Sequence, residues 1–104
     1  MLVSPDRPTA VIALWNDLSH SLIGAADDLG LQLGRDLEMV GWSTLEQYEG
    51  DYLQRFVTQA PQPAVVWSVR EMAEICITRL AQRRVDPGMP VTRTRVPTRL
   101  MLTQ

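Results

Sequence analysis

Two apolar runs of strand length flank an amphipathic helix pattern in the first half of the chain, and that order sets the expected fold. Ala10-Val11-Ile12-Ala13-Leu14-Trp15 is continuous and follows Pro8, the pattern of a parallel-sheet strand buried on both faces. Asn16 and Asp17 end it, and either side chain can cap the helix expected over 17–29, where Leu18, Leu22, Ala25, Ala26 and Leu29 share one face. Gly30 then stops the helix, because a glycine tolerates the left-handed backbone of a C′ position. Asp27 and Asp28 fall in the last turn, where the helix dipole disfavours carboxylates, so a partner outside the helix is expected there. A second strand over 37–42 (Leu-Glu-Met-Val-Gly-Trp) completes a β-α-β unit with a right-handed crossover, which implies a parallel sheet.

The second half is less regular. Leu45, Tyr48, Tyr52, Leu53 and Phe56 have partial helical spacing that Gly50 interrupts, so residues 43–60 read as a loop with a short helix. Pro61 and Pro63 close that stretch and lead into a short strand over 64–67. Ser68-Val69-Arg70-Glu71 has the form of a capping box and predicts a helix over 68–84. Its apolar positions, Met72, Ala73, Ile75, Cys76, Ile77 and Leu80, cover more than one face, so the helix is expected to be wedged between two packing surfaces until Asp86-Pro87-Gly88 ends it. The tail from Val91 to Leu102 alternates poorly, contains Pro97 and reads as extended pieces at a sheet edge.

Composition narrows the function more than the fold. The 104 residues and 45% hydrophobic content are those of one globular domain or a piece of one. A net charge of −2 argues against a general nucleic-acid binder, although all 10 basic residues are arginine and Arg79, Arg83, Arg84, Arg93, Arg95 and Arg99 crowd the last quarter. Asp86 and prolines interleave that run, so it reads as a solvated face rather than an anion site. The longest apolar stretch, 10–15, is far short of the roughly 20 residues of a membrane span, and residues 1–9 lack the pattern of an export signal, so a cytoplasmic protein is expected.

Little here points to catalysis. No G-x-G-x-x-G or G-x-x-x-x-G-K occurs, which leaves nucleotide binding without support. With 1 His and 1 Cys no metal centre and no internal disulfide are expected; Cys76 reads as a small buried hydrophobe and His20 as a surface or interface residue. Ser19, His20 and Asp17 cannot form a triad, because immediate neighbours on a helix do not face one another. What remains are residues at strand C-terminal ends: Asn16 and Asp17, Ser43 and Thr44, Trp67 and Ser68. Ligands of open parallel sheets bind just outside those ends, so the group reads either as helix caps or as one side of a small-molecule crevice.

The order of Asn16-Asp17, Leu29-Gly30-Leu31, Arg35-Asp36, Gly41-Trp42 and Pro97-Thr98-Arg99-Leu100 resembles the effector-binding domain of LacI/GalR-type bacterial transcription regulators over nearly the whole chain. The resemblance implies an α/β parallel-sheet lobe of the periplasmic-binding-protein-like type I kind, present in part. Residues 1–67 and 91–104 would belong to the C-terminal lobe, and 68–90 would carry a helix crossing to a missing N-terminal lobe. It further implies a sensor without catalysis or cofactor; Asn16, Asp17, Ser43 and Trp67 are expected to meet its small-molecule effector, because all follow strand C-terminal ends. A homodimer touching at His20, Ser21 and Gly24 and along 43–60 follows, with operator DNA read only through a helix-turn-helix that lies outside this chain. Ser43 stands where the family usually places an aspartate, which puts a sugar effector in doubt, since a neutral hydroxyl grips a pair of sugar hydroxyls less firmly than a carboxylate. Trp15, Trp42 and Trp67, all at strand ends, suit stacking on a flat ligand. A fragment of a solute-binding protein of an ABC transporter is the alternative; an enzyme fragment of flavodoxin-like fold is a weaker third.

Overall fold

A computed structural model describes residues 2–102. Its strands are β1 (Ala10–Ala13), β2 (Glu38–Thr44), β3 (Ala64–Trp67) and β4 (Arg99–Met101), and its main helices are α1 (Asn16–Asp28) and α3 (Val69–Val85). Between β2 and β3 the chain forms the short α2 (Leu45–Gln47), a π-helical turn (Tyr48–Tyr52) and a 3-10 turn (Leu53–Arg55). The sheet runs in the order β1-β2-β3-β4, with the first three strands parallel and β4 antiparallel on the edge. This is a mixed α/β fold with a mostly parallel sheet, as the two apolar runs and the intervening helix predict.

One face of the sheet carries the core. Val11 and Ala13 of β1, Met39 and Gly41 of β2 and Ala64 and Val66 of β3 lie on that side in register, under α1 and the 45–55 passage. Tyr52 fills its centre with no exposed surface, and its hydroxyl lies 3.0 Å from the Gln62 carbonyl and 3.1 Å from that of Pro63. Gly41 lies beneath the ring: a Cβ added there would fall inside van der Waals contact with the ring and hydroxyl of Tyr52. Burial pushes the Tyr52 hydroxyl well above the usual phenol range, and the neighbouring Tyr48 adds to that shift.

Helix α1 ends as its sequence predicts. Gly30 takes φ +68, its N–H donates to the Asp27 carbonyl and that of Leu31 donates to Ala26, the paired bonds of a Schellman motif. The outside partner expected for the acidic last turn is also present, since the Asp27 carboxylate accepts hydrogen bonds from Thr58 and Gln59.

Several expectations need correction. Strand β1 stops at Ala13 and is not buried on both faces: Ile12 is 67% exposed, because no layer covers that side of this edge strand. Neither Asn16 nor Asp17 caps α1; the cap position is Trp15, with no side-chain bond, and both polar residues lie inside the first turn. The buried positions of α1 are Ser19, Leu22, Ile23 and Ala26, whereas Leu18 and Leu29 of the expected apolar face are exposed. Ser19 can turn inward because its Oγ bonds the Trp15 carbonyl. Helix α3 is not wedged between surfaces: it has no buried residue, and Cys76 is exposed on it rather than buried. The π-helical turn spans Gly50, where the sequence suggested only an interruption.

Candidate functional site

The C-terminal ends of β1 and β2 open into a cavity of about 240 Å³ lined by Trp15, Asn16, Asp17, Trp42, Ser43, Thr44, Gln47 and Asp51. Trp15 leaves β1 with φ 73, a left-handed backbone that costs a non-glycine residue on the order of 1–3 kcal/mol. That turn directs the chain into α1 so that Asn16 faces the π-helical turn, and Asn16 Nδ2 donates to Asp51 Oδ2 at 2.6 Å. Asp51 Oδ1 accepts from Arg55 Nε at 2.9 Å, and Arg55 Nη2 lies 3.7 Å from the carboxylate of Asp17. The result is a chain of alternating charges, Asp51, Arg55 and Asp17, of which the two aspartates line the cavity. The Arg55 hydrogen bond, followed by that of Asn16, holds the Asp51 carboxyl below the usual carboxylate range, so it is an anion at neutral pH.

Two polar atoms in this lining are buried and find no partner among the described residues: Asn16 Oδ1, an acceptor, and Trp42 Nε1, a donor. An unmatched buried donor or acceptor costs about 1–3 kcal/mol. Neither atom meets solvent as the side chains stand, so a ligand that supplies one acceptor and one donor removes both penalties only if the Asn16 amide and the Trp42 ring turn towards the cavity. Ser43 is 2% exposed and spends its own proton on the Thr44 carbonyl at 3.0 Å, so towards a ligand it can only accept.

Of the four residues predicted to meet a ligand, the structure brings Asn16, Asp17 and Ser43 together and places Trp67 elsewhere. Trp67 lines a neighbouring cavity of about 260 Å³ with Leu45, Val66, Ser68, Glu71, Pro97 and Arg99, and the two linings share no residue. The chain turns from one lining to the other between Thr44 and Leu45, where α2 begins and Glu46 is tied to the start of α3. Ser68 Oγ donates to Glu46 at 2.6 Å, and the N–H groups of Val69 and Arg70 donate to the same carboxylate, each at 3.1 Å. Ser68 accepts from Glu71 N–H, so half of the expected capping box forms, but the carboxylate at the helix start is that of Glu46. The bond from Ser68 is the main cause that lowers the Glu46 pKa to about 2.

Sequence reasoning missed Asp51, Gln47 and Arg55. The one signal for them was the broken helical spacing around Gly50, and single π-helical turns are frequent at functional sites. His20, Ser21 and Gly24, the residues expected at a dimer contact, are all exposed on α1. Among the described residues no group of three or more His, Cys, Asp or Glu is placed to hold a metal, and no helix is long and apolar enough to cross a membrane. A scan of family models and searches of curated proteins and solved structures find no match to this chain.

Proposed function

We propose that the chain is the small-molecule-sensing and dimerisation portion of a LacI/GalR-type transcription regulator, a part of a periplasmic-binding-protein-like lobe that binds an effector and does not transform it. The observation that carries the reading is the crevice at the ends of β1 and β2, where Asn16 Oδ1 and Trp42 Nε1 stand buried and unmatched. Parallel sheets bind ligands at this end. The carboxylate that the sequence seemed to lack at Ser43 has a counterpart in Asp51, which reaches the same cavity from the π-helical turn and restores a charged acceptor beside the neutral hydroxyl. The predicted contacts Asn16, Asp17 and Ser43 belong to this half-site, and Trp67 does not share it.

The test is a panel of monosaccharides, nucleobases and small amides added to the chain, read by thermal shift and by tryptophan fluorescence of a Trp67→Phe variant, in which only Trp15 and Trp42 emit. A ligand at 100 times its Kd should raise stability by about 2.7 kcal/mol. Replacing Asn16 by Ala should weaken that ligand by roughly 5-fold or more, as expected for one lost hydrogen bond of about 1 kcal/mol. An effect unchanged in Asn16→Ala and Asp51→Ala would place the ligand elsewhere and overturn the assignment.

A further inference from the structure

The crevice at the ends of β1 and β2 is unbalanced in charge. Asp17 and Asp51 line it, and Arg55, the cation between them, does not. One guanidinium against two carboxylates leaves an excess of negative charge at the wall. The wider field has the same sign. Up to Ser68 the chain holds nine acidic residues and three arginines, and beyond it three acidic residues and seven arginines. The crevice therefore belongs to the acidic part of the chain, where a cation is drawn in and an anion is turned away.

Hydrogen bonding narrows the class further. A carboxylate offers about four lone-pair sites. Asp51 spends one on Arg55 through Oδ1 and one on Asn16 through Oδ2, so each oxygen can still accept. Asp17 stands 3.7 Å from Arg55, beyond hydrogen-bond reach, and keeps its acceptors for solvent or a ligand. Ser43 Oγ, whose proton goes to the Thr44 carbonyl, can only accept. An ammonium group brings three N–H donors to such a lining, whereas a quaternary ammonium brings none. A neutral ligand displaces the water that solvates the two carboxylates and returns no charge, a desolvation cost that an ammonium offsets. Trp15 and Trp42, in the same lining, add indole rings, the best side-chain partners for an organic cation. The volume of about 240 Å³ lies below the roughly 300–1,000 Å³ of drug-sized sites, and at about 30 Å³ for each water-sized group it takes a ligand of about eight non-hydrogen atoms.

We infer that the effector of this crevice is a small primary amine in its ammonium form, with the –NH3+ group bound by Asp51, Asp17 and Ser43 and the carbon skeleton set against Trp15 and Trp42. The inference rests on the effector-binding reading above and names the class of ligand that this reading leaves open. Arg55 is a positioning residue in it: it holds Asp51 in place from outside the lining and leaves a lone pair of each oxygen free.

Three probes of similar size and different charge test it on the full chain: benzylamine, a cation at neutral pH, benzyl alcohol, which is neutral, and benzoate, an anion. Binding is followed by NMR at the indole N–H signals of Trp15 and Trp42, with Trp67 in its separate cavity as the internal control. Benzylamine should shift Trp15 and Trp42 and leave Trp67 in place, with a Kd roughly 10-fold or more below that of benzyl alcohol, the difference expected of a charge-assisted hydrogen bond, and benzoate should bind most weakly. Added salt should weaken benzylamine and leave benzyl alcohol unchanged. Asp51→Asn keeps the shape of the side chain and an acceptor for Asn16, and should erase most of the preference for the amine. Asp17→Asn, at a side chain that is 97% exposed and takes no part in the core, should erase a smaller part. Equal affinity for the amine and the alcohol, no binding of the amine, or a preference that both variants keep overturns the ammonium assignment. The effector reading is scored separately: a sugar, nucleobase or amide that shifts Trp15 and Trp42 upholds it without the ammonium, and both fall together only if no probe of any charge shifts them.

Discussion

The sheet with its covering turns and the α3 arm obey different rules within one chain. In the first, Tyr52, Leu37, Met39 and Val66 are almost wholly removed from water, and their positions depend on residues far away in sequence. In the second, a helix of 17 residues stands on local signals: a serine cap, arginines in the last turn and the Asp86 stop, with no buried residue. Helices in proteins draw most of their stability from tertiary packing rather than from propensity, so α3 needs its anchor at Glu46 and a surface to lie against, whereas the sheet supplies its own. Local sequence therefore specifies where α3 begins and ends, but tertiary burial decides whether a segment is held.

The largest break in that comparison comes from Tyr52. Replacement by Ala removes a fully buried ring and its bonds to the Gln62 and Pro63 carbonyls, and should cost about 3–5 kcal/mol in denaturant unfolding. A loss below 1 kcal/mol would show that the ring does not organise the core. Gly41→Ala attacks the same contact from beneath: the new methyl meets the Tyr52 ring, and the expected cost is about 1–3 kcal/mol. The double variant Gly41→Ala with Tyr52→Ala should cost less than the two single changes together, since the methyl then enters space left by the ring.

Asp51→Ala comes next, with an expected loss of about 1 kcal/mol, held low because more than a third of that side chain meets water. It strands Asn16 Nδ2 and leaves Arg55 with the exposed Asp17 alone. Thermal unfolding with and without ligand separates the two roles, because a structural loss appears in both and a binding loss only with ligand.

How much of this was legible follows the same division. The parallel β1–β2 pair, the Gly30 stop, the Ser68 cap and the edge position of β4 were readable, since each depends on neighbours within a few residues or on strand-length apolar runs. The exposure of Ile12 was not readable, because an apolar run does not say whether a layer lies over it. Asn16 looked like a cap because its type and place fit one; its bond to Asp51 crosses 35 positions and depends on a π-helical turn of which the sequence shows only the broken spacing around Gly50. In the candidate site, the strand ends gave Asn16, Asp17 and Ser43, while the acidic wall at Asp51 came only with the fold.

The smallest expected effect lies where the two regions join, and its sign follows from Glu46. Its carboxyl titrates at about 2 when bound to Ser68 and to the N–H groups of Val69 and Arg70, and near 4.5, the ordinary value of a glutamate, when free. A folded pKa below the unfolded one contributes stability that is present above the unfolded value and is lost as pH falls through the folded one. The anchor should therefore be intact at pH 5 and above, weaken below 4.5 and be gone near pH 2, where the uncharged acid no longer complements the positive end of the helix. Because this carboxylate is open to water, the loss should show as fraying of the first turn of α3 rather than as unfolding of the sheet. Amide hydrogen exchange at Val69 and Arg70, compared between wild type and Glu46→Gln across pH 2–6 after correction for intrinsic rates, provides the measurement. The wild type should lose protection at these two amides on acidification and converge on the variant, while Met39 and Val66 in the sheet show no difference between the two proteins. Equal protection at Val69 and Arg70 in both proteins at pH 6 would mean that Ser68 alone holds the start of α3 and that Glu46 does not anchor the arm.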